Sequence, residues 1–136
     1  RHMIIKIDFE SEIPIYEQLK RQIIQGIAKG DLSKGEELPS VRQLAEDIGI
    51  NLHTVNKSYN LLKDEGYLVV DRRKGTRVSD TMPEPNEKYI DNLKEEIGYI
   101  SADAYCKGIR KEEFLSICEK YFDNFIANGE DESNGR

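Results

Sequence analysis

Two short helix-forming segments separated by a glycine turn constrain the fold of this chain more than any other feature. The first shows the apolar spacing of an amphipathic helix, and Ser40 with Gln43 forms a capping-box pattern at its start. Gly49 then provides backbone freedom for a sharp turn, and Asn51 is a suitable N-cap for a second helix that ends before Gly66. Two helices joined by a short turn containing glycine are typical of a helix-turn-helix.

A basic hairpin is predicted directly after these helices. Residues 67–71 and 76–79 are β-prone, and the loop between them is Arg72-Arg73-Lys74-Gly75. A further amphipathic helix over residues 14–30 precedes the pair. We therefore predict a mainly α-helical winged helix-turn-helix with a small β-wing, covering residues 3–80.

Residues 81–86 contain two prolines close together and show no apolar periodicity, so we predict a linker there. Residues 87–127 then show two amphipathic helices. Because two lone helices cannot bury both apolar faces, we expect them to pack on the winged domain, on a partner's tail or on both, and we predict a homodimer. Residues 128–136 are polar and acidic and are predicted to be frayed or disordered. The side chains predicted to form the dimer interface are Tyr89, Leu93, Ile97, Ile100, Phe114, Tyr121 and Phe122.

The net charge of −6 at first argues against a nucleic-acid partner. Residues 1–80, however, carry 13 basic and 13 acidic side chains, whereas residues 81–136 carry 7 and 13. All of the excess acid therefore lies in the C-terminal part, and the predicted winged helix is neutral overall.

The second helix of the predicted motif has a polar face opposite its apolar stripe. His53, Asn56, Lys57 and Asn60 recur at the spacing of one helical face. Because the start of this helix reads base edges in a helix-turn-helix, Asn56, which can bond adenine bidentately, is the best candidate base reader. His53 and Thr54 are the next candidates, and Lys57 is expected to contact phosphate.

The same face is equally typical of any solvated surface helix, so this helix alone does not decide between the two interpretations. Arg42 and the basic hairpin tip favour the DNA-binding interpretation. Basic residues on three elements are expected around one surface, where they can hold phosphates on either side.

Several ordered motifs over residues 10–79 resemble the DNA-binding domain of GntR-family regulators. The short C-terminal part and the start Ile13-Pro14-Ile15-Tyr16-Glu17-Gln18 are similar to the YtrA subfamily. The other motifs that carry the resemblance are Leu38-Pro39-Ser40-Val41-Arg42-Gln43-Leu44-Ala45, Gly49-Ile50-Asn51, Thr54-Val55-Asn56-Lys57-Ser58-Tyr59, Glu65-Gly66-Tyr67-Leu68 and Gly75-Thr76.

The resemblance implies an operator-binding repressor that is dimeric through two C-terminal helices and that often regulates transport genes beside its own. Many family members carry Arg where this chain has Leu52 and Asn56, and the subfamily often has Pro-Asn at Leu52-His53, so we expect a different operator. The DNA-contacting residues that we predict from the face, the flanking elements and the resemblance are Ser40, Arg42, Asn51, Leu52, His53, Thr54, Asn56, Lys57, Arg72, Arg73, Lys74 and Gly75.

No nucleophile motif, Gly-rich phosphate loop, HExxH motif or Cys/His cluster occurs, so no enzyme, metal or cofactor is predicted. A winged helix used only for protein contacts remains an alternative. The tyrosines of residues 87–127 are either the core of a dimer or the lining of a crevice for a small-molecule effector.

No apolar run approaches the roughly 20 residues of a membrane span, and no signal peptide is recognised, so we expect a cytoplasmic protein without a membrane partner.

Overall fold

A computed structural model describes residues 4–134, with side chains described as far as residue 129. The chain divides into two compact units, a winged unit that ends at Pro83 and a two-helix unit that begins at Glu84. The strands of the winged unit form a two-stranded antiparallel sheet after three helices, which confirms the predicted winged helix-turn-helix. The elements are α1 (Ile15–Ala28), α2 (Val41–Ile48), α3 (Leu52–Asp64), β1 (Leu68–Asp71), β2 (Gly75–Val78), α4 (Glu87–Cys106) and α5 (Lys111–Asn134).

The core of the winged unit lies where α1 and α3 meet the hairpin. The apolar stripe of α1 places Leu19 and Ile23 inside, and the stripe of α3 buries Val55, Tyr59 and Leu62. The phenol of Tyr59 donates a hydrogen bond to the Pro39 carbonyl at 2.7 Å, and burial raises the pKa of this phenol. Tyr59 therefore ties α3 to the residue that precedes the N-cap of α2.

The turn between α2 and α3 has the predicted chemistry. Ser40 Oγ accepts a hydrogen bond from the Gln43 N–H at 3.1 Å, and Gly49 has left-handed dihedrals of 70° and 37°. The side chain of Asn51 accepts from the His53 N–H at 2.7 Å. The Gln43 side-chain amide donates to Asp47, and among the described residues the Ser40 N–H does not donate back to Gln43, so only half of the capping box forms.

A third extended segment, which the sequence analysis missed, lies beside β2. The N–H of Leu38 donates to the Thr76 carbonyl at 2.8 Å, and the N–H of Val78 donates to the Glu36 carbonyl at 2.9 Å. An isolated antiparallel bridge pairs Glu37 with Arg77. The hairpin is thus joined by backbone hydrogen bonds to the segment that leads directly into α2.

The segment before α1 is held by two glutamines one helical turn apart. Gln22 accepts from the Lys6 N–H and donates to the Lys6 carbonyl, at 2.9 and 2.6 Å. Gln18 makes the same pair of bonds with Asp8, both at 2.9 Å. These side chains satisfy backbone groups much as a neighbouring strand would, and Ile5 packs against the core beside them.

The two-helix unit begins with Asn86, whose side chain accepts from the Tyr89 N–H at 2.8 Å and caps α4. Gly108, with φ of 84°, terminates α4, and the Ile109 N–H bonds back to the Ala104 carbonyl at 3.0 Å. Between residues 84 and 129 every described side chain is exposed or only half-buried. Within the described residues, no helix has the length and apolar character needed to cross a membrane.

Two predicted boundaries differ from the structure. Met82 packs against the core of the winged unit, so residues 81–83 of the predicted linker belong to that unit. The stretch from residue 128 that we predict to be frayed or disordered is part of α5 as far as Asn134. Within residues 128–134 only Gly129 disfavours a helix strongly, and a single glycine costs about 1 kcal/mol. Residues 135–136 lie outside the described part.

Candidate nucleic-acid interface

The polar face of α3 is exposed as predicted. His53, Asn56, Lys57 and Asn60 all reach solvent, whereas Val55 on the opposite side is fully buried. The side chains available on this face can donate or accept hydrogen bonds, which is what recognition of base edges requires.

The N-terminus of α3 combines a cap with side chains of different exposure. The side-chain Oδ1 of Asn51 accepts a hydrogen bond from the His53 N–H, so this residue fixes the helix start. Leu52 remains 40% exposed although it is apolar, and Thr54 is half-buried. Of the predicted contacts at this end, Asn51, Leu52 and His53 are exposed, and only Thr54 is partly covered.

Lys57 has a neighbour that the sequence analysis did not anticipate. Its ammonium lies 3.8 Å from the centroid of the Tyr16 ring, and the adjacent Ser58 hydroxyl donates to the Tyr16 carbonyl at 2.6 Å. These two contacts join α3 to the start of α1. Lys57 stays exposed, so its charge lies at the α1 edge of the polar face.

The start of α2 holds Ser40 and Arg42. Arg42 is exposed, and no ion pair to it occurs in the described part of the chain. The Ser40 hydroxyl oxygen is already used as the N-cap of α2. Because α2 packs directly against α3, both residues sit on the element next to the polar face.

The basic tip of the hairpin is exposed at Arg72, Arg73 and Lys74, and Gly75 closes the loop with φ of 74°. The hairpin joins β1 to β2 with Leu68 opposite Val78. Since β1 packs against α3, the structure brings all of the predicted DNA-contacting residues of the first unit onto α2, α3 and the hairpin that flanks α3.

Asp71 organises this tip and was not among the predicted residues. Its Oδ1 accepts from the Arg73 N–H at 2.8 Å and lies 3.4 Å from the Lys74 N. The Arg73 bond, followed by the Lys74 N–H and the charges of Arg77 and Lys74, lowers the pKa of the Asp71 carboxyl and outweighs the opposing desolvation. An Asp two residues before a turn position is the local signal that reveals such a bond.

Arg77 on β2 faces Asp71 with 3.6 Å between Nη2 and Oδ2. Its Nε is buried and, among the described residues, has no hydrogen-bond partner. The Asp71 carboxylate is therefore placed between the backbone of the tip and a cation of the neighbouring strand.

The predicted dimerisation residues lie on the two-helix unit and are mostly uncovered. Tyr89, Leu93, Ile97 and Ile100 form an exposed apolar line along α4, with Ile97 48% exposed. On α5, Phe122 is 66% exposed, and its ring packs edge-on against Phe125 at 6.4 Å between centroids. Tyr121 is also exposed, whereas Phe114 is half-buried near the connection.

Residues 15–78 match the bacterial regulatory proteins of the gntR family. The chain is also 36% identical over 110 residues to the HTH-type transcriptional repressor YtrA of Bacillus subtilis strain 168, a match that covers 80% of this chain and 85% of YtrA. The chain belongs to the GntR family. It is therefore a transcriptional regulator with a winged helix-turn-helix DNA-binding domain, and its relatives are not enzymes.

Two solved structures show the same architecture. The transcriptional antiterminator from Listeria monocytogenes EGD-e superimposes with a TM-score of 0.81 at 27% identity, covering 93% of this chain and 95% of that one. YtrA from Sulfolobus acidocaldarius, a GntR-family transcription factor, is 45% identical with a TM-score of 0.60, covering 73% of this chain and 98% of that one. The likeness to the first extends over both units of this GntR-family chain.

Proposed function

We propose that this GntR-family chain is a sequence-specific repressor that binds a palindromic operator as a homodimer. The observation that carries the proposal is the exposed polar face of α3, which begins at a capped N-terminus and lies opposite a fully buried apolar stripe. This arrangement presents hydrogen-bonding side chains to a major groove while α3 stays anchored in the core.

The roles divide by chemistry. Asn56 reads adenine, and His53 and Thr54 contact neighbouring base edges. Leu52, being exposed and apolar, is suited to the methyl group of thymine. The remaining predicted contacts are made mainly to the sugar-phosphate backbone of the DNA. The residues that make them are Ser40, Arg42, Asn51, Lys57, Arg72, Arg73, Lys74 and Gly75.

The partner of the two-helix unit is a second copy of this chain. The apolar side chains along α4 and the aromatic cluster on α5 are exposed, and contiguous exposed apolar surface marks an interaction site. A symmetric pair buries both faces at once, and a two-fold dimer places two α3 helices on two half-sites of opposite orientation. The operator is then palindromic.

The regulatory direction follows the relative that is named a transcriptional repressor. We further propose that the controlled operon includes transporter genes, and that a crevice between the paired two-helix units, lined by tyrosines such as Tyr89 and Tyr121, is where a small-molecule effector would bind. We also propose that the protein is cytoplasmic, because its proposed target is chromosomal DNA and bacterial chromosomes lie in the cytoplasm.

Salt dependence separates DNA binding from the alternative in which the winged helix makes only protein contacts. Each phosphate neutralised by a basic side chain releases counterions, so the affinity for DNA carrying the gene's own upstream region should fall steeply as salt rises. Fluorescence anisotropy over a salt series gives the slope. A shuffled duplex of the same length is the control, and a flat slope, or no retention on either duplex, would favour the protein-contact alternative.

A further inference from the structure

The hairpin tip presents three basic residues on a three-residue loop, and such a loop has many conformations of similar energy. Two backbone N–H groups of this loop, those of Arg73 and Lys74, point to one carboxylate oxygen of Asp71. The loop therefore has one organising side chain, and that side chain is acidic in a part of the molecule that should favour cations.

We propose that Asp71 is a positioning residue for DNA binding, whose carboxylate holds the Arg72–Lys74 tip in the conformation that contacts the DNA backbone. This inference rests on the proposed role of the hairpin tip.

The support comes from both sides of the carboxylate. On one side its Oδ1 accepts from the tip, and on the other its Oδ2 faces the Arg77 guanidinium at 3.6 Å. Arg77 belongs to β2, which is joined through Thr76 and Val78 to the extended segment before α2. The tip is thus fixed relative to a strand that is itself fixed to the start of α2.

A purely electrostatic role of Asp71 and a positioning role predict opposite changes in DNA affinity when the residue is removed. Deleting an acidic side chain near DNA reduces repulsion of the phosphates and should strengthen binding. Positioning predicts that binding weakens, because a loop that must be ordered on contact carries the entropic cost of that ordering. The sign of the effect therefore distinguishes the two.

The test compares full-length variants on a mixed-sequence DNA duplex at low salt. Asp71→Asn keeps an Oδ1 acceptor and loses the charge, whereas Asp71→Ala loses both. We expect Asp71→Ala to weaken binding about three- to ten-fold, the loss that corresponds to a side-chain hydrogen bond, and Asp71→Asn to bind at least as tightly as the parent. Hydrogen exchange at the Arg73 and Lys74 amides should quicken in Asp71→Ala only. Asp64→Ala, at an exposed acid that forms no ion pair in the described part of the winged unit, controls for net charge.

The possible outcomes distinguish a failure of the positioning role of Asp71 from a failure of the proposed DNA contact by the hairpin tip. If Arg73→Ala weakens binding but Asp71→Ala binds as tightly as the parent, the tip contacts DNA and Asp71 does not position it. Equal weakening by Asp71→Asn and Asp71→Ala would mean that the ion pair with Arg77, and not the Oδ1 acceptor, carries the effect, which overturns the inference that the hydrogen bonds to Oδ1 hold the tip. An Arg73→Ala variant with unchanged affinity would overturn the role of the tip itself, and the inference with it.

Discussion

Replacing Ile97 by Glu should convert the proposed homodimer into a monomer. Ile97 lies in the middle of the exposed apolar line of α4, and a symmetric pair would bury this position in both copies. A buried carboxylate without a partner costs several kcal/mol, so the dissociation constant of the dimer should rise by at least about 100-fold. Sedimentation equilibrium of the full-length variant measures this directly.

The matched control is Tyr99→Glu. Tyr99 lies two residues further along α4, is 73% exposed and points away from the apolar line, so the same charge there should leave the dimer intact. Operator binding should weaken with Ile97→Glu and not with Tyr99→Glu, because one winged unit holds a single half-site. A dimer that survives Ile97→Glu unchanged would show that another surface pairs the two copies.

Asn56→Ala should cost about 1 to 3 kcal/mol on the operator and little on a shuffled duplex. The reason is that a bidentate bond from an amide to adenine exists only at the correct base. Arg73→Ala should weaken both duplexes alike, because a phosphate contact carries no sequence information. Competition binding on the two duplexes at one salt concentration measures both losses.

Asn60→Ala is the control within the same face. Asn60 is exposed like Asn56 but lies one turn further from the N-terminus of α3, where contacts to base edges are fewer. Its loss on the operator should therefore be smaller. If Asn56→Ala weakens binding to the operator and to the shuffled duplex by the same factor, its base-reading role is contradicted.

Local chemistry made most of the winged unit predictable. The turn at Gly49 and the caps at Ser40 and Asn51 depend on residues within three positions of each other, so their signals are visible in the sequence. The buried and exposed faces of α3 follow in the same way from helical periodicity.

The contacts that sequence reasoning missed join segments far apart in the chain. Gln18 and Gln22 look like ordinary surface positions of α1 until the segment before α1 lies beside them. The pairing of residues 36–38 with β2 uses backbone groups alone and leaves no side-chain pattern. The stacking of Lys57 on Tyr16 likewise requires the packing of α3 on α1.

The end of α5 shows a different limit. Composition distinguishes polar from apolar segments, but a polar acidic stretch that continues an existing helix needs no new nucleation, so the helix can propagate through it. Composition alone therefore predicted disorder where the backbone is helical.

Selection of bound fragments from the source genome, followed by sequencing, tests the central claim most directly. We expect the full-length chain to enrich a small number of sites that share one motif with two-fold symmetry, with half-sites one helical turn or a multiple of it apart. Even recovery of fragments across the genome, or an enriched motif without symmetry, would contradict an operator-binding homodimer.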